Sequence, residues 1–346
     1  MNRAVMTVAT VAVITALAVI SMIYSNLKLP ERVQSPQSNG PVEKLSIAFV
    51  KNPFSASIAV AQAKGFFLDE GLIITLVPFT AGISGIDSVL SGQTSLTCAS
   101  EAGIVRALMN NNPLRVAAVM STSEMAVSIV GLKSRGISAR SDLKGKKIGV
   151  TPGTSAEFNL SIMLTLSRIP LSEVHLIDLR PEEMEAAVAG GRVDAVSTWE
   201  PYITQMLEQF GPEAIQFYNT PPVTVSHILV THRKLTEENP LIIEKFLRAL
   251  IRAESFISES PDEASSITAG MIGMNAAALR RTWNFYNHEV KLDQNLIVRF
   301  EVMARWLTAH AGGETDSLPN FLDYIYEDGL MAADPEKVTL VYRESL

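Results

Sequence analysis

Small polar residues and an aromatic–carboxylate pair stand where predicted strands of this chain end. The turn Gly153–Ser155 follows the predicted strand Lys147–Thr151 and precedes a segment whose apolar residues recur at helical spacing. Such a turn directs free backbone N–H groups at one point, which suits an anionic or polar ligand. Trp199 and Glu200 follow a second predicted strand, Val193–Thr198. Because α/β sheets bind ligands beyond the carboxyl ends of their strands, both turns are predicted to lie in a binding site.

Three further turns, each after a predicted strand in the first half of the chain, carry candidates of the same kind. Each candidate has an alternative explanation, because Ser and Thr at such places cap helices for about 1 kcal/mol and most carboxylates are solvated. Trp199 could equally belong to the core. His227 is added because it lies in a predicted connection between two lobes. The candidate ligand-binding residues are Phe54, Ser55, Thr80, Ser100, Glu101, Gly153, Thr154, Ser155, Trp199, Glu200 and His227.

Motifs of catalysis and of metal binding are absent from the sequence. It contains no G-x-S-x-G, no G-x-G-x-x-G and no P-loop. The histidines are scattered, without an H-E-x-x-H pattern or a cysteine partner for zinc. We therefore expect no catalytic residue, no cofactor and no metal. Glu101, Glu200 and His227 could together support enzymatic chemistry, but nothing in their spacing requires it.

Length and charge set broad limits on what the chain can do. Its 346 residues are enough for two compact domains. The net charge is −7 and no cluster of Lys or Arg occurs, which argues against nucleic acid as a partner. The single cysteine, Cys98, excludes a disulfide within the chain.

The N-terminus carries an apolar run that is long enough to span a bilayer as a helix, Ala4–Tyr24. A secretory signal usually has a shorter apolar region and a small-x-small cleavage site, whereas Ser21–Asn26 offers a poor one. We expect residues 1–27 to be a signal anchor, with a cleaved signal peptide as the alternative, and residues 28–44 to be a linker. The folded part is then expected to work outside the cytoplasmic membrane, periplasmic or extracytoplasmic, held there by the N-terminal helix.

Strand and helix patterns alternate from Leu45 onwards, which predicts an α/β fold with mostly parallel, covered sheets. A second α/β pattern begins at Lys146, and the last hundred residues are largely helical. We expect lobe I to hold residues 45–133 and 227–346, and lobe II to hold residues 134–226. The connecting segments near Leu132 and near Val225 would then form a hinge.

Four segments in order resemble the solute-binding proteins of ABC importers, in particular the nitrate, sulfonate, taurine and thiamine-precursor group. They are AVAQAKGFFLDEGLIITLVPF, DLKGKKIGVTPGTS, GRVDAVSTWEPY and NPLIIEKFLRALIRAESFI, and the resemblance covers about Leu45 to Phe256. It implies a two-lobed periplasmic-binding-protein fold of type II that closes on a small solute without catalysis. The matching ligand-loop positions are Ser55, Thr80, Ser100, Gly153, Thr154, Ser155, Trp199 and Glu200.

One departure from the family pattern concerns an acid that usually follows G-x-x in both lobes. Asp194 stands there in lobe II, whereas Thr94 and Ser95 stand there in lobe I. A short internal sequence similarity, between Val89–Leu96 and Val188–Ala195, places these residues at equivalent positions in the two lobes. We expect the acid to be structural, so its loss does not weaken the fold prediction.

The resemblance implies an extracytoplasmic solute-binding protein of an ABC import system, which binds a small organic solute by hinge closure. The resemblance implies a sulfonate-, taurine- or pyrimidine-like solute. Glu101 or Glu200 could receive a cationic group, which favours a zwitterion or a heteroaromatic amine over a bare inorganic anion. Expected partners are the solute, an ABC permease and, through the N-terminal helix, the membrane; the chain is expected to be a monomer. The alternatives are an enzyme on the same fold that acts on a pyrimidine or menaquinone precursor, and a membrane-anchored sensory ectodomain.

Overall fold

The computed structural model describes residues 42–311 and 318–341. Within these ranges, no helix combines the length and the apolar character that crossing a bilayer requires. The predicted anchor, residues 1–27, and residues 28–41 of the predicted linker lie outside the described residues.

The strands are short and consist largely of aliphatic and β-branched residues, as buried sheet strands do. Most begin or end within a few residues of where the apolar runs predict. They are β1 (Glu43–Val50), β2 (Leu72–Phe79), β3 (Leu96–Ala99), β4 (Leu114–Ser123), β5 (Val127–Leu132), β6 (Lys147–Val150), β7 (His175–Asp178), β8 (Ala195–Trp199), β9 (Ala214–Phe217), β10 (Val225–His232), β11 (Tyr286–Asn287), β12 (Leu292–Asp293) and β13 (Val338–Thr339).

The helices connect consecutive strands in the first part of the chain and dominate its end. Short 3₁₀ turns, such as Pro53–Ser55, precede some of them. The α-helices are α1 (Ala56–Ala63), α2 (Phe66–Asp69), α3 (Gly82–Leu90), α4 (Glu101–Met109), α5 (Ser155–Leu166), α6 (Met184–Ala189), α7 (Tyr202–Phe210), α8 (Arg233–Glu238), α9 (Pro240–Glu259), α10 (Pro261–Ile272), α11 (Ala276–Thr282), α12 (Gln294–His310) and α13 (Asp328–Ala333).

Two mixed sheets organise the chain. The first has the order β11-β4-β10-β3-β1-β2, and the second has the order β7-β6-β8-β5-β9. In the first sheet, β1 pairs in parallel with β2 and β3, whereas β10 runs antiparallel to β3 and β4. In the second, β6 pairs in parallel with β7 and β8, whereas β5 runs antiparallel to β8 and β9.

The expectation of mostly parallel pairing therefore holds for β1–β3 and β6–β8 and is wrong for the pairs around β5 and β10. These two strands are the ones through which the chain passes from one sheet to the other. Each enters its sheet at the edge where the neighbouring strands end, and so it runs in the opposite direction.

The chain passes between the sheets at two short segments. The first joins Ser123 at the end of β4 to Val127 at the start of β5, and the second joins Phe217 to Val225. The predicted connection near Val225 agrees with the second segment. The predicted connection near Leu132 does not agree with the first, because Val127–Leu132 pairs entirely within the second sheet. The assignment of residues to lobes stays a prediction, with its first boundary moved to residues 124–126.

The two sheets share a repeated unit. It explains why the acid of the family pattern, Asp194 in the second sheet, can be absent from the first. Asp194 accepts a hydrogen bond from the backbone N–H of Lys147, at 2.9 Å, where the chain enters β8 beside β6. At the equivalent place beside β1, the hydroxyl of Ser95 accepts from the N–H of Ser46, at 3.3 Å. Both side chains satisfy a backbone donor of the neighbouring strand, so the acid is structural and Ser95 can replace it.

A large apolar core lies around the first sheet. The predicted apolar face of α9 is buried in it, and Phe246 of this face stacks on Phe67 with ring centroids 4.9 Å apart. Two smaller apolar clusters cover the faces of the second sheet. Each sheet thus has its own core, and the space between the sheets is formed by strand ends and turns.

A substitution of Gly82 tests whether α3 packs closely against β3. A Cβ atom there would lie 2.8 Å from Cβ and 3.1 Å from Cα of Ala99. Gly82→Ala is expected to lower the free energy of unfolding by about 1–3 kcal/mol, because part of the clash is with the backbone. Denaturant unfolding followed by circular dichroism measures the change.

The matched control is Gly270→Ala in α10, where nothing lies within 4 Å of an added Cβ atom. This exchange is expected to raise the free energy of unfolding by up to about 1 kcal/mol, because Ala favours the helix over Gly. Equal stability of Gly82→Ala and the unmodified chain would contradict the packing of α3 on β3.

Candidate functional site

A cavity lies where strand ends of both sheets meet. The volume open to the centres of water molecules is about 50 Å³. This is several times what a single water needs, and it admits a small chemical group. The lining residues are Val50, Asn52, Phe54, Gly82, Ala99, Ser100, Val127, Thr154, Ser155, Trp199, Val225 and His227.

Three helices begin at this cavity. Gly82 is the first residue of α3, Ser155 is the first residue of α5, and Ser100 directly precedes α4. No side chain at the three preceding positions caps the helix by a hydrogen bond. The first N–H groups of a helix have no partner within the helix, and the helix dipole makes this end positive. The cavity therefore has a positive potential that comes from the backbone.

No charged residue of the described chain lines the cavity itself, although the first turns of α4 and α5 contain the buried carboxylates of Glu101 and Glu157. His227 is neutral there, since burial lowers the pKa of its imidazole to about 3. The site thus combines positive helix ends with uncharged walls. An anionic or acceptor-rich group suits it.

Several buried polar atoms of the lining residues have no hydrogen-bond partner in the described part of the chain. They are Asn52 Oδ1, Ser155 Oγ, Trp199 Nε1, His227 Nδ1 and His227 Nε2. A buried polar group without a partner costs about 1–3 kcal/mol, and native proteins keep few of them. Their concentration at one cavity indicates that a bound molecule supplies the partners.

His227 reaches the cavity because of an irregularity in its strand. The ladder between β10 and β4 shifts register between His227 and Ile228, and such irregularities re-aim side chains. The imidazole stacks on Phe54 with ring centroids 5.3 Å apart. Tyr286 packs edge-on against Phe54, with the two ring centroids 4.9 Å apart. The aromatic wall is therefore held from behind.

Six of the eleven candidate residues line the cavity, and three of the small ones do not. Ser55 is fully buried and donates its hydroxyl to the carbonyl of Val50 at 2.9 Å. Thr80 is exposed at the end of β2, and Gly82 lines the cavity in its place. Gly153 has a φ of +71°, which L side chains rarely adopt, and it shapes the turn before Thr154.

The two carboxylates are the other candidates that do not line the cavity. Glu200 accepts a hydrogen bond from the N–H of Thr204 at 3.0 Å, in the first turn of α7. Glu101 accepts from the N–H of Ser226 at 2.8 Å and lies 3.4 Å from Arg299. Burial raises the pKa of both carboxyl groups. Neither carboxylate lines this cavity, whereas Glu101 lines the adjoining hollow, and their role as receivers of a cationic group stays a prediction.

Asn52, Gly82 and the apolar residues Val127 and Val225 were not predicted from the sequence. Asn52 follows β1 directly, so the rule that strand ends bind ligands applied to it as well. Val127 and Val225 stand at the beginnings of strands, where that rule gives no signal. Their place at the cavity follows from the reversed direction of β5 and β10.

Comparison with known proteins places the chain among relatives. Residues 52–264 match the family described as NMT1/THI5 like. This range is more than half of the chain and contains every lining residue except Val50. The chain belongs to this family.

Individual relatives and solved structures agree with this assignment. A protein of Brucella abortus (strain 2308), named only as a binding protein, is 25% identical over 242 residues, which cover 67% of this chain and 73% of that protein. The taurine-binding periplasmic protein of Escherichia coli K12 is 25% identical over 209 residues, which cover 59% of this chain and 63% of that protein.

The fold is shown by the periplasmic aliphatic sulphonate binding protein SsuA of Escherichia coli. Its crystal structure matches this family member with a TM-score of 0.70 at 18% identity. The match covers 82% of this chain and 97% of that one. The α/β fold is thus that of the periplasmic binding proteins.

The buried imidazole of His227 predicts how the stability of the fold depends on pH. Its pKa is about 3 in the folded chain, against 6.5 for an ordinary histidine. As the pH falls below about 6.5, the unfolded state takes up a proton that the folded state does not, so stability falls. His227→Gln is expected to remove about 2 kcal/mol of this loss between about pH 6.5 and pH 5.

Denaturant unfolding at the two pH values measures the difference. His288, whose pKa burial lowers to about 4, keeps a similar loss in the variant. His175→Gln, at an exposed histidine, is the control for removing an imidazole. An unchanged pH dependence in His227→Gln would show that His227 is not buried as described.

Proposed function

We propose that this NMT1/THI5-like protein is an extracytoplasmic solute-binding protein of an ABC import system, and that the cavity holds the polar head of a small organic solute. The observation that carries the proposal is the convergence of three helix N-termini and five unpartnered buried polar atoms on one cavity. Proteins that bind taurine and aliphatic sulphonates share its family or its fold. A sulfonate-like head is therefore the class of ligand that fits best.

The head group is proposed to be anionic, with its oxygens toward the helix ends. Ser155 and Trp199 supply a hydroxyl and an indole N–H as additional donors. The neutral imidazole of His227 offers one donor and one acceptor, and Asn52 offers an amide. A solute with a donor of its own, such as an ammonium beside the sulfonate, could use these acceptors.

Binding is proposed to draw the two sheets together. Residues from both sheets line the cavity, so a solute that contacts all of them favours the closed arrangement. The two connections at residues 124–126 and 218–224 are the segments that would bend. The closed form would then dock on a membrane permease, and the chain would act as a monomer, tethered by residues 1–27.

An enzymatic role finds less support in the cavity. None of the lining hydroxyls in the described chain is hydrogen-bonded to His227, so no nucleophile–base pair is set up. A thermal-shift screen of the protein against sulfonates, taurine, nitrate, pyrimidines, flavins and amines tests the ligand class. Turnover of a solute without a permease would favour the enzymatic alternative.

Ser155→Ala is expected to weaken binding of the best sulfonate in that screen by about tenfold or more, because a hydrogen bond to a charged group is lost. The solute-free variant is expected to be as stable as the unmodified chain or slightly more stable, because an unpartnered hydroxyl is removed. Isothermal titration calorimetry and denaturant unfolding measure the two effects.

Ser161→Ala, also in α5, is the matched control. Its hydroxyl donates to the carbonyl of Phe158 at 2.7 Å and does not line the cavity. This variant is expected to bind the solute unchanged. Full affinity in Ser155→Ala, or no stabilisation by any anionic solute, would contradict the proposed site.

A further inference from the structure

A second, larger hollow adjoins the cavity and is not used by the proposed head group. Its volume open to water centres is about 460 Å³, and it shares Ser155 and Val225 with the cavity. One wall is the first half of α5, with Phe158 and Ile162. We call this hollow the α5–α12 groove, because α12 forms the facing wall.

The α12 wall of the groove is a continuous helix face. Asn295, Val298, Arg299, Val302 and Met303 follow the i, i+3, i+4, i+7, i+8 spacing of one face. Val298 and Val302 are exposed although they are apolar, at 53% and 51%. The groove therefore has a largely apolar lining, interrupted by polar side chains that include Glu101, Asn295 and Arg299, and it opens beside the cavity.

Arg299 is the only cationic side chain that lines the groove in the described chain. Its side chain is 21% exposed, and its Nε and Nη2 atoms are buried without a hydrogen-bond partner. Nε lies 3.4 Å from Oε1 of Glu101, which is an ion pair without an aligned hydrogen bond. A guanidinium with free donors in a largely apolar groove suits the two oxygens of an acid.

Glu101 does not occupy those donors. Its Oε1 already accepts from the N–H of Ser226. Glu101 itself lines the groove beside Arg299, and burial raises the pKa of its carboxyl group. Asn295 stands one turn before Arg299 on the same face and can add an amide donor.

We propose that the α5–α12 groove is a second subsite of the same solute, and that it takes an acidic group joined to the head by an apolar spacer. The solute class is thus an organic diacid with one anionic end at the three helix N-termini and the other at Arg299. This inference rests on the proposed function of the cavity. Arg299 lies outside residues 52–264, which match the family.

The test compares probes that differ only at their far end. The full chain is titrated by calorimetry with alkanesulfonates, with the ω-carboxamides of the same sulfonates and with the ω-carboxylates, over a series of spacer lengths. At one spacer length or more, the carboxylate is expected to bind about tenfold tighter than the methyl-ended and carboxamide probes. This comparison needs no variant and therefore does not depend on the folding of one.

Arg299→Gln is expected to abolish the difference between the carboxylate and methyl-ended probes, and Arg299→Lys is expected to keep part of it, since the charge remains without the planar fork. Arg305→Gln is the matched control, because Arg305 is exposed on α12 and does not line the groove. It is expected to keep the full difference.

The outcomes separate the two proposals. Binding of alkanesulfonates without any gain from the carboxylate, or a gain that survives in Arg299→Gln, would overturn the second subsite alone. Failure of every sulfonate probe would overturn the second subsite together with the proposed head-group site.

Discussion

The binding cavity depends on one constraint: three helices begin at one buried point, and no side chain at the preceding position caps any of them. A helix end in such a place costs free energy unless an outside group satisfies it. Among the described residues, no charged side chain lines the cavity, and burial keeps the imidazole of His227 neutral. The positive potential of the helix ends is thus left available to a solute.

The two sheets hold these helix ends in place. β1, β3, β6 and β8 run toward the cavity, and the turns that follow them start the helices or carry the aromatic wall. The two sheets contain the same repeated unit, so both halves of the site are built alike. In each unit a side chain just before a strand, Ser95 or Asp194, accepts a hydrogen bond from a backbone N–H of the neighbouring strand. The close approach at Gly82 brings α3 to the edge of its strand.

The polar and aromatic residues at strand ends could be found from the sequence, because strand direction follows from the α/β pattern. Phe54, Ser155 and Trp199 line the cavity as that pattern predicts. The carboxylates could not be assigned from the sequence for a physical reason: a carboxylate after a strand can turn to a solute or to an N–H of its own chain. Glu200 turns to the first turn of α7, and Glu101 turns to β10 and α12. Only packing decides between the two.

By itself, the sequence determined the alternation of strands and helices, the turns that follow the strands and the family resemblance, because these depend on local periodicity and on short segments. Tertiary structure alone decided which turns meet, the reversed direction of β5 and β10, and the neighbourhood of Arg299 with Glu101. Those features join residues far apart in the chain, and no local pattern encodes a contact whose partner lies two hundred residues away. Local sequence thus predicts the turns and helix starts of the site, and long-range packing brings them together.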